Sequence, residues 1–327
     1  MTLVYQLVFR IGYIFFKISK RTWWKSYVSF RRLFVITKGA FNDRMSEKLS
    51  REFPQQKLGH VSGLLGNIGE EQVDDIVKQI EKNGYHIFDA TLPMSKVEAL
   101  VELSLNLEAE LIPPAKNGTK TAKYDRKNIL TPRYQFNEQE ILKNKLVQEI
   151  SFDRSLYAIA QGYLKCIPIQ DLTAVWWSAA FSKQASSEAA QLYHFDMDRF
   201  KFIKFFFYLT DVDATNGPHC YIRGSHKHMP DKVWKDGRIP DNEVQESFPK
   251  EDILEITGKK GSIIAVDTRG LHKGKVLEKG ERLILQIEYT NSLFGAEYQR
   301  IDLKGHLEKD LLNTLQNNKH SYQRFSI

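Results

Sequence analysis

Two residues with metal-binding side chains, His194 and Asp196, lie two positions apart in the segment QLYHFDMDRF. Side chains at positions i and i+2 of an extended strand point to the same face, so this imidazole and carboxylate can bind one cation together. A second histidine, His272, follows the apolar run 261–267. Two histidines and one carboxylate with open positions form the facial triad of non-haem Fe(II) sites. The three residues therefore predict an iron centre, provided that the fold brings them together.

Other side chains compete for the same role, because an H-x-D tripeptide also occurs by chance. Asp198 shares the predicted strand face, but we favour Asp196 because it is nearer to the first histidine. His219, His226 and His228 are further candidates, and the sequence favours loop or surface positions for them. The expected ligands are thus the two histidines named above and the first aspartate.

One arginine, Arg282, begins the strand-like segment RLILQIEY ten residues after His272. Alternation places Arg282, Gln286 and Glu288 on one face of that strand. This face is either a solvated polar surface or the interior of a barrel, in which the planar guanidinium would bind a carboxylate through two hydrogen bonds. The sequence leaves these two interpretations open.

The order of predicted elements indicates an α+β fold with a mainly β core. Amphipathic helical patterns dominate before residue 172, and several short strand patterns follow it. Turn signals separate the strands and no βαβ alternation is present, which favours an antiparallel sandwich or barrel. We assign 61–294 to this domain, 1–60 to a basic N-terminal arm and linker, and 295–327 to a polar C-terminal tail. The polar stretch 40–70 is expected to be the linker.

The positive charge of the chain is concentrated in its arm. The net charge is +7, and residues 1–60 carry 12 Lys or Arg and 3 acidic residues, so the remainder has a net charge of −2. A nearly neutral body does not fit nucleic-acid binding. The two cysteines, Cys166 and Cys220, form no CxxC pair and no disulfide framework. A reducing cytoplasm is therefore the expected setting.

The arm begins with an apolar helical pattern at residues 3–16. This run is too short for a comfortable membrane span, and the charges that follow it argue against a cleaved signal. Packing against protein is the commoner role of such a stripe. The alternative is a peripheral contact of residues 1–40 with an anionic membrane, because a basic amphipathic helix with tryptophan at its end can lie in the interface.

A set of linked motifs resembles the phytanoyl-CoA dioxygenase family of Fe(II)- and 2-oxoglutarate-dependent oxygenases. The set comprises the H-x-D tripeptide, then YLTDVDATNGP and GSH, and finally GSIIAVDTRGLH with an arginine ten residues further. The segment NGYHIFDATLPMSKVEAL is similar to the opening helix–strand–helix of that family. The resemblance extends over about residues 70–292 and does not include the arm or the tail.

The resemblance implies a double-stranded β-helix, a jelly-roll or cupin-like barrel, with flanking N-terminal helices. It implies that His194, Asp196 and His272 bind Fe(II) and that Arg282 binds the distal carboxylate of 2-oxoglutarate. The implied reaction hydroxylates a small-molecule or a lipid- or sugar-linked substrate with O₂, and releases succinate and CO₂. In such a reaction the protein orients the reactants and excludes side reactions.

Two other functions remain open at the level of the sequence. A non-catalytic member of the same fold would act as a binding or scaffold subunit, which the complete set of four site residues disfavours. A cupin-like zinc or iron enzyme, such as an isomerase, would use the same ligands without a cosubstrate. Turnover of 2-oxoglutarate with bound iron would exclude the binding subunit. Dependence of the reaction on 2-oxoglutarate separates the dioxygenase from the isomerase.

Overall fold

Strands form the centre of the fold and helices cover them. The structure is a computed structural model that describes residues 2–327. The helices are α1 (Thr2–Ser19), α2 (Trp24–Ile36), α3 (Ala40–Glu52), α4 (Glu70–Asn83), α5 (Met94–Asn106), α6 (Glu138–Ile141), α7 (Lys145–Ser151), α8 (Arg154–Leu164), α9 (Asp241–Ser247) and α10 (Lys309–Asn317). The strands are β1 (Val61–Gly63), β2 (Gly66–Ile68), β3 (Tyr85–Thr91), β4 (Glu108–Ile112), β5 (Thr121–Lys123), β6 (Arg133–Phe136), β7 (Ile169–Ala179), β8 (Phe202–Tyr208), β9 (His219–Ile222), β10 (Ile253–Ile256), β11 (Ser262–Val266), β12 (His272–Gly274), β13 (Glu281–Thr290), β14 (Ile301–Asp302) and β15 (Phe325–Ser326).

Two antiparallel sheets contain most of these strands. The larger sheet has eight strands in the order β3-β11-β8-β13-β7-β6-β4-β5, and the smaller has three in the order β10-β9-β12. The strand pairs of both sheets are antiparallel. The prediction of a mixed fold with a mainly antiparallel β core is therefore confirmed.

The two faces of the larger sheet differ in what they contact. On β13, Leu283 and Leu285 point to one face, where they join a core formed with α4, α5, α7 and α8. The alternate residues Arg282, Gln286 and Glu288 point to the opposite face, yet they are only 5%, 7% and 3% exposed. The polar face of this strand is therefore an interior surface, which decides between the two interpretations that the sequence leaves open.

The N-terminal helices pack on the body of the protein through aromatic side chains. Phe9 and Tyr13 of α1 contact Phe200 and Phe294 edge to face, with ring centroids between 5.3 and 6.0 Å apart. Such aromatic pairs contribute packing energy beyond the area that they bury. One face of α1 is therefore fixed to the strand-rich domain.

The stretch 40–70, expected to be a linker, instead contains α3 and the hairpin of β1 and β2. Some of its polar side chains are buried through hydrogen bonds. Asn42 Nδ2 donates to the carbonyl of Phe200 at 3.1 Å, and Asn291 Nδ2 donates to Ser46 Oγ at 3.0 Å. Paired polar side chains can lie inside a protein, so polar composition alone was a misleading signal here.

Residues 295–327 fold back onto the domain through a buried arginine. Arg324 is 1% exposed, and its guanidinium donates to both carboxylate oxygens of Glu138, at 2.5 and 3.1 Å. It also donates to the side-chain oxygen of Gln170 on β7 at 2.7 Å. The tail is thus held by a bidentate ion pair, a geometry that arginine forms and lysine does not.

Replacement of Arg324 by alanine is expected to destabilise the protein by about 3–5 kcal/mol, because Glu138 would remain buried without its partner. The measurement is the free energy of unfolding in guanidinium chloride. Arg300→Ala serves as the control, since Arg300 is exposed and an exposed substitution changes stability by about 0.5 kcal/mol or less. Equal effects of the two substitutions would contradict a stabilising role for the buried ion pair.

Candidate active site

A short antiparallel pairing of two chain segments brings His194 and His272 together. His194 N donates to the carbonyl of His272 at 3.0 Å, and His272 N donates to the carbonyl of His194 at 2.9 Å. Asp196 N donates to the carbonyl of Thr268 at 2.8 Å, which extends the pairing. On its other side β12 pairs with β9 of the smaller sheet. These backbone bonds place both histidines and the aspartate in one location.

The three side chains form a compact set of possible metal ligands. His194 Nε2 lies 3.6 Å from Asp196 Oδ1, and His272 Nε2 lies 3.6 Å from Asp196 Oδ2. Each imidazole donates its Nδ1–H to a main-chain carbonyl, that of Leu192 at 2.8 Å and that of Gly270 at 3.0 Å. This tautomer leaves each Nε2 lone pair free to bind a metal. One ligand atom from each residue lies within 4.8 Å of the others, which is close enough to hold a single ion.

The surroundings keep these residues in the protonation states that metal binding requires. Burial, and then the neighbouring His272, lower the pKa of His194 to about 3. Burial also lowers the pKa of His272. For Asp196, burial acts to raise the pKa, but Lys204 and the two histidines outweigh it and hold this pKa well below its usual range. At neutral pH the site therefore presents two neutral imidazoles and one carboxylate, the forms that coordinate metals.

Lys204 is a site residue that the sequence analysis missed. It lies on β8, and its Nζ donates to Asp196 Oδ2 at 2.7 Å and lies 3.6 Å from a carboxylate oxygen of Glu288. Burial acts to lower the pKa of Lys204, but Asp196, Glu288 and Asp198 together raise it, so the ammonium group stays charged. The available signal was a single lysine inside the apolar run FIKFFFYL, because lysine is almost never fully buried unless it is paired.

Arg282 lies in the same cavity as the three possible ligands. Its Nη2 donates to Ser178 Oγ at 3.3 Å, and its Nε has no hydrogen-bond partner among residues 2–327. Burial lowers the pKa of Arg282, and no carboxylate in that part of the chain offsets the effect. A buried charge without a partner is costly, so binding of an anion here would be strongly favourable.

A second arginine, Arg133, lies beside Arg282 in the cavity and was also missed. Arg133 on β6 and Arg282 on β13 both pair in register with Ser178 on β7, the strand between them. The guanidinium of Arg133 stacks over the ring of Trp176 at 4.4 Å and donates to the side-chain oxygen of Gln135 at 2.5 Å. Burial, and then Arg282, lower the pKa of Arg133 to about 10. No local pattern predicts this pair, because the two strands are distant in sequence.

The remaining histidines and the second aspartate lie outside the set of three. His219, expected in a loop or on the surface, is instead buried on β9 with its ring 5.4 Å from that of His272. Its Nε2 has no hydrogen-bond partner among the described residues, and burial lowers its pKa well below the usual range. His226 bonds a main-chain carbonyl at 3.0 Å, and His228 is exposed. Asp198 lines the cavity without joining the possible ligands.

The three possible ligands, Lys204, the two arginines, His219 and Asp198 line one cavity of about 1230 Å³. Glu108, Glu110, Lys120 and Glu297 are exposed members of its lining and mark its mouth. Typical pockets for small ligands are about 300–1,000 Å³, so this cavity has room for two small molecules side by side.

A comparison with protein families found a match over more than half of the chain. The model of the family described as phytanoyl-CoA dioxygenase (PhyH) matches residues 80–276. This range contains the two histidines and the aspartate of the site. A comparison with curated proteins found no match.

Several solved structures also match. They include the non-heme alpha ketoglutarate-dependent epimerase SnoN from nogalamycin biosynthesis, at 14% identity over 67% of this chain and 83% of that chain, with a TM-score of 0.46. HygX from Streptomyces hygroscopicus, with nickel and 2-oxoglutarate bound, matches at 14% identity over 72% of this chain and 92% of its own, with a TM-score of 0.48. EctD from S. alaskensis, with bound Fe, matches at 15% identity over 73% of this chain and 86% of its own, with a TM-score of 0.48. Sequence identities and TM-scores this low give no information about the substrate or reaction of this chain.

The low pKa of His194 predicts how the stability of the metal-free protein depends on pH. The pKa is about 3 in the folded state and about 6.5 in the unfolded state. The unfolded state therefore binds more protons in this interval, so stability falls as the pH is lowered through about 6.5. At pH 5 the contribution of His194 to this loss is about 2 kcal/mol.

Urea unfolding in the presence of a chelator, at pH 7 and pH 5, measures this loss. The variant His194→Gln should lose about 2 kcal/mol less than the wild type over the same interval, because glutamine does not titrate. An identical pH dependence in the two proteins would show that His194 is not held in its neutral form.

Proposed function

The chain belongs to the phytanoyl-CoA dioxygenase family, and from this premise we propose that it is a non-haem Fe(II)- and 2-oxoglutarate-dependent dioxygenase. The proposed reaction hydroxylates a small-molecule or a lipid- or sugar-linked substrate and releases succinate and CO₂. One observation carries the proposal: a largely buried His-Asp-His set and a buried arginine without an acidic partner line the same cavity.

His194, Asp196 and His272 are the proposed iron ligands. Two neutral imidazoles and one carboxylate are the donor set of the facial triad, which leaves coordination positions for other ligands. When bound at this site, iron and 2-oxoglutarate would together activate O₂. The role of the chain is to hold these donors in place, and the bonds from each Nδ1–H to a carbonyl keep both Nε2 atoms available.

Lys204 is proposed to orient the carboxylate ligand. Its ammonium group donates to Asp196 Oδ2 at 2.7 Å, so this oxygen is held while Oδ1 stays beside His194. The same contact favours the ionised form of Asp196, because a positive neighbour stabilises a carboxylate in a buried site.

Arg282 is the proposed partner of the distal carboxylate of 2-oxoglutarate. A guanidinium binds a carboxylate through two parallel hydrogen bonds, and the unpartnered Nε of Arg282 is a free donor for one of them. Arg133 adds positive charge on the neighbouring strand, and His219 adds a polar ring nitrogen without a partner. An anion in this part of the cavity would offset the buried positive charge.

The fold-level part of the proposal is a double-stranded β-helix formed by the larger and the smaller sheet, with 61–294 as the oxygenase domain. The arm and the tail, 1–60 and 295–327, lie outside this domain. The proposed partners are a small-molecule substrate and O₂, with no nucleic acid. We place the enzyme in the cytoplasm, with a peripheral membrane contact through residues 1–40.

Substitution of Asp196 by alanine should abolish iron binding and iron-dependent formation of succinate, because the only carboxylate among the three ligands is lost. Iron per chain, measured by mass spectrometry on protein loaded without oxygen, is the direct measurement. Asp198→Ala is the matched control and should keep its iron, since Asp198 lines the cavity but is not among the proposed ligands. Loss of iron in the control and retention in Asp196→Ala would show that the wrong aspartate was assigned.

Substitution of Arg282 by alanine should raise the apparent KM for 2-oxoglutarate strongly, because a buried carboxylate would lose a partner worth roughly 2–5 kcal/mol. Arg282→Lys should recover only part of the loss, since an ammonium group does not reproduce the planar fork. Arg126→Ala is the control, because Arg126 binds Glu281 at the surface and not the cavity. Unchanged KM values in both Arg282 variants would mean that another group anchors the cosubstrate.

A further inference from the structure

Helix α1 has two apolar faces that differ in side-chain type. Its inner face is aromatic, with Phe9, Tyr13 and Phe16 buried against the body. Its outer face is mainly aliphatic and exposed: Leu7 is 60% exposed and Ile14 is 62% exposed. The other exposed apolar residues of this face are Leu3, Val4, Ile11, Phe15 and Ile18. A continuous apolar ridge of this kind on a folded protein marks an interaction surface.

The charged residues of the chain up to position 42 are all positive. No acidic residue precedes Asp43 in the sequence. The exposed cations of α1, α2 and the turn between them are Arg10, Lys17, Lys20, Arg21, Lys25 and Arg32. Of these, Lys17 is paired, with Glu52 at 2.9 Å. The ridge and the positive charges of the same segment therefore suit a negatively charged partner.

Two tryptophans follow the end of α1. Trp23 and Trp24 are 42% and 69% exposed, and they lie where the chain turns from α1 into α2. Tryptophan prefers the boundary between hydrocarbon and water, because one part of its ring system is apolar and its N–H is polar. Their position beside the ridge fits a lipid surface better than a wholly apolar protein groove.

Hydrogen bonds attach the turn between α1 and α2 to one wall of the cavity. Tyr298 Oη donates to the carbonyl of Lys20 at 3.0 Å, and Gly295 N donates to Thr22 Oγ1 at 3.1 Å. The segment 296–299 that follows Gly295 lines the cavity, and Glu297 is exposed at its mouth. The outer face of α1 and this side of the mouth therefore belong to one packed unit.

We infer that the outer face of α1, with Trp23 and Trp24, is an interfacial membrane-binding surface that inserts into an anionic phospholipid bilayer. The helix lies in the plane of the interface, with its aliphatic ridge among the acyl chains and its lysines and arginines at the head groups. Within residues 2–327, no helix has both the length and the apolar character to cross a bilayer. The contact holds the 296–299 side of the cavity mouth next to the lipid head groups, and this orientation rests on the proposed function of the cavity.

A second copy of the chain is the less suitable occupant of the ridge. Two identical surfaces would bring their unpaired cations together, because neither carries an acidic residue between positions 1 and 42. Like charges that face each other across an interface oppose association. An anionic lipid surface removes this repulsion and supplies attraction of about 1 kcal/mol for each Lys or Arg near the surface.

Co-sedimentation of the full chain with vesicles tests the surface. The vesicles contain equal parts of phosphatidylglycerol and phosphatidylcholine, and vesicles of phosphatidylcholine alone are the comparison. The wild type should bind the anionic vesicles at low salt and bind less at high salt. Leu7→Glu and Ile14→Glu should each lower the partition coefficient roughly tenfold or more, since each replaces a buried aliphatic contact by a charge.

Ile87→Glu is the matched control, because Ile87 is an exposed isoleucine on β3, at 46% exposure, and lies outside the arm. It should bind vesicles like the wild type. Wild-type protein that stays in the supernatant at low salt, or an equal loss in Ile87→Glu, would overturn the inference. Sedimentation velocity gives a further outcome: a dimer that Leu7→Glu converts to a monomer, without vesicle binding, would assign the ridge to a second copy.

A fluorescent label on a single introduced cysteine tests the orientation. The two native cysteines are buried, so Glu297→Cys and Lys259→Cys provide selective labelling sites. Phe200, which packs against α1, precedes one end of β8. Lys259 lies beside Asp211, which follows the other end. A strand of this length separates its two ends by about 20 Å. Energy transfer to an acceptor on the lipid head group should be greater from position 297 than from position 259. Equal transfer would refute the orientation.

Succinate formation by Leu7→Glu in lipid-free solution separates this inference from the proposed function. The ridge is outside the cavity, so this variant should keep wild-type turnover of 2-oxoglutarate while it loses vesicle binding. If neither the wild type nor Leu7→Glu turns over 2-oxoglutarate while the wild type binds vesicles normally, the proposed dioxygenase function is rejected and the membrane-binding surface is retained.

Discussion

The reciprocal backbone hydrogen bonds between His194 and His272 are the interaction on which the site depends. They join two segments that are far apart in the chain, and without them the imidazoles could not approach one carboxylate. The same segments supply the carbonyls that accept the Nδ1–H of each ring. The backbone therefore sets both where the histidines lie and which nitrogen they offer.

The burial of the charged side chains in the cavity wall imposes a second constraint, since each buried charge there needs a partner. Lys204 lies against Asp196 at 2.7 Å, and Arg199 forms a bidentate pair with Asp171 at 2.7 and 2.9 Å. Arg282 has no such carboxylate among the described residues. The charges of Lys204 and Arg199 are thus compensated internally, and Arg282, with Arg133 beside it, is left for an anionic ligand.

Elements with two distinct faces connect the fold to its surfaces. On β13, apolar side chains such as Leu283 face the helical core while Arg282 and its alternate neighbours face the cavity. Helix α1 repeats this division on the outside of the protein, with Phe9 inward and Leu7 outward. Both elements are apolar or buried on each side, so neither fits the simple rule that one face meets the core and the other meets water.

The sequence by itself was enough to predict an antiparallel β core and to single out His194, Asp196 and His272 as a candidate set, because period-two alternation and turn signals are local properties. The segment that contains His194 and Asp196 forms isolated backbone bridges, however, and not the strand that the alternation predicts. Tertiary structure alone decided the rest. The burial of His219 and the contact between Lys204 and Asp196 depend on which strands become neighbours, and strand order is a long-range property. The polar stretch 40–70 likewise contains helix α3, whose buried Ser46 accepts a hydrogen bond from Asn291, a residue that is distant in sequence.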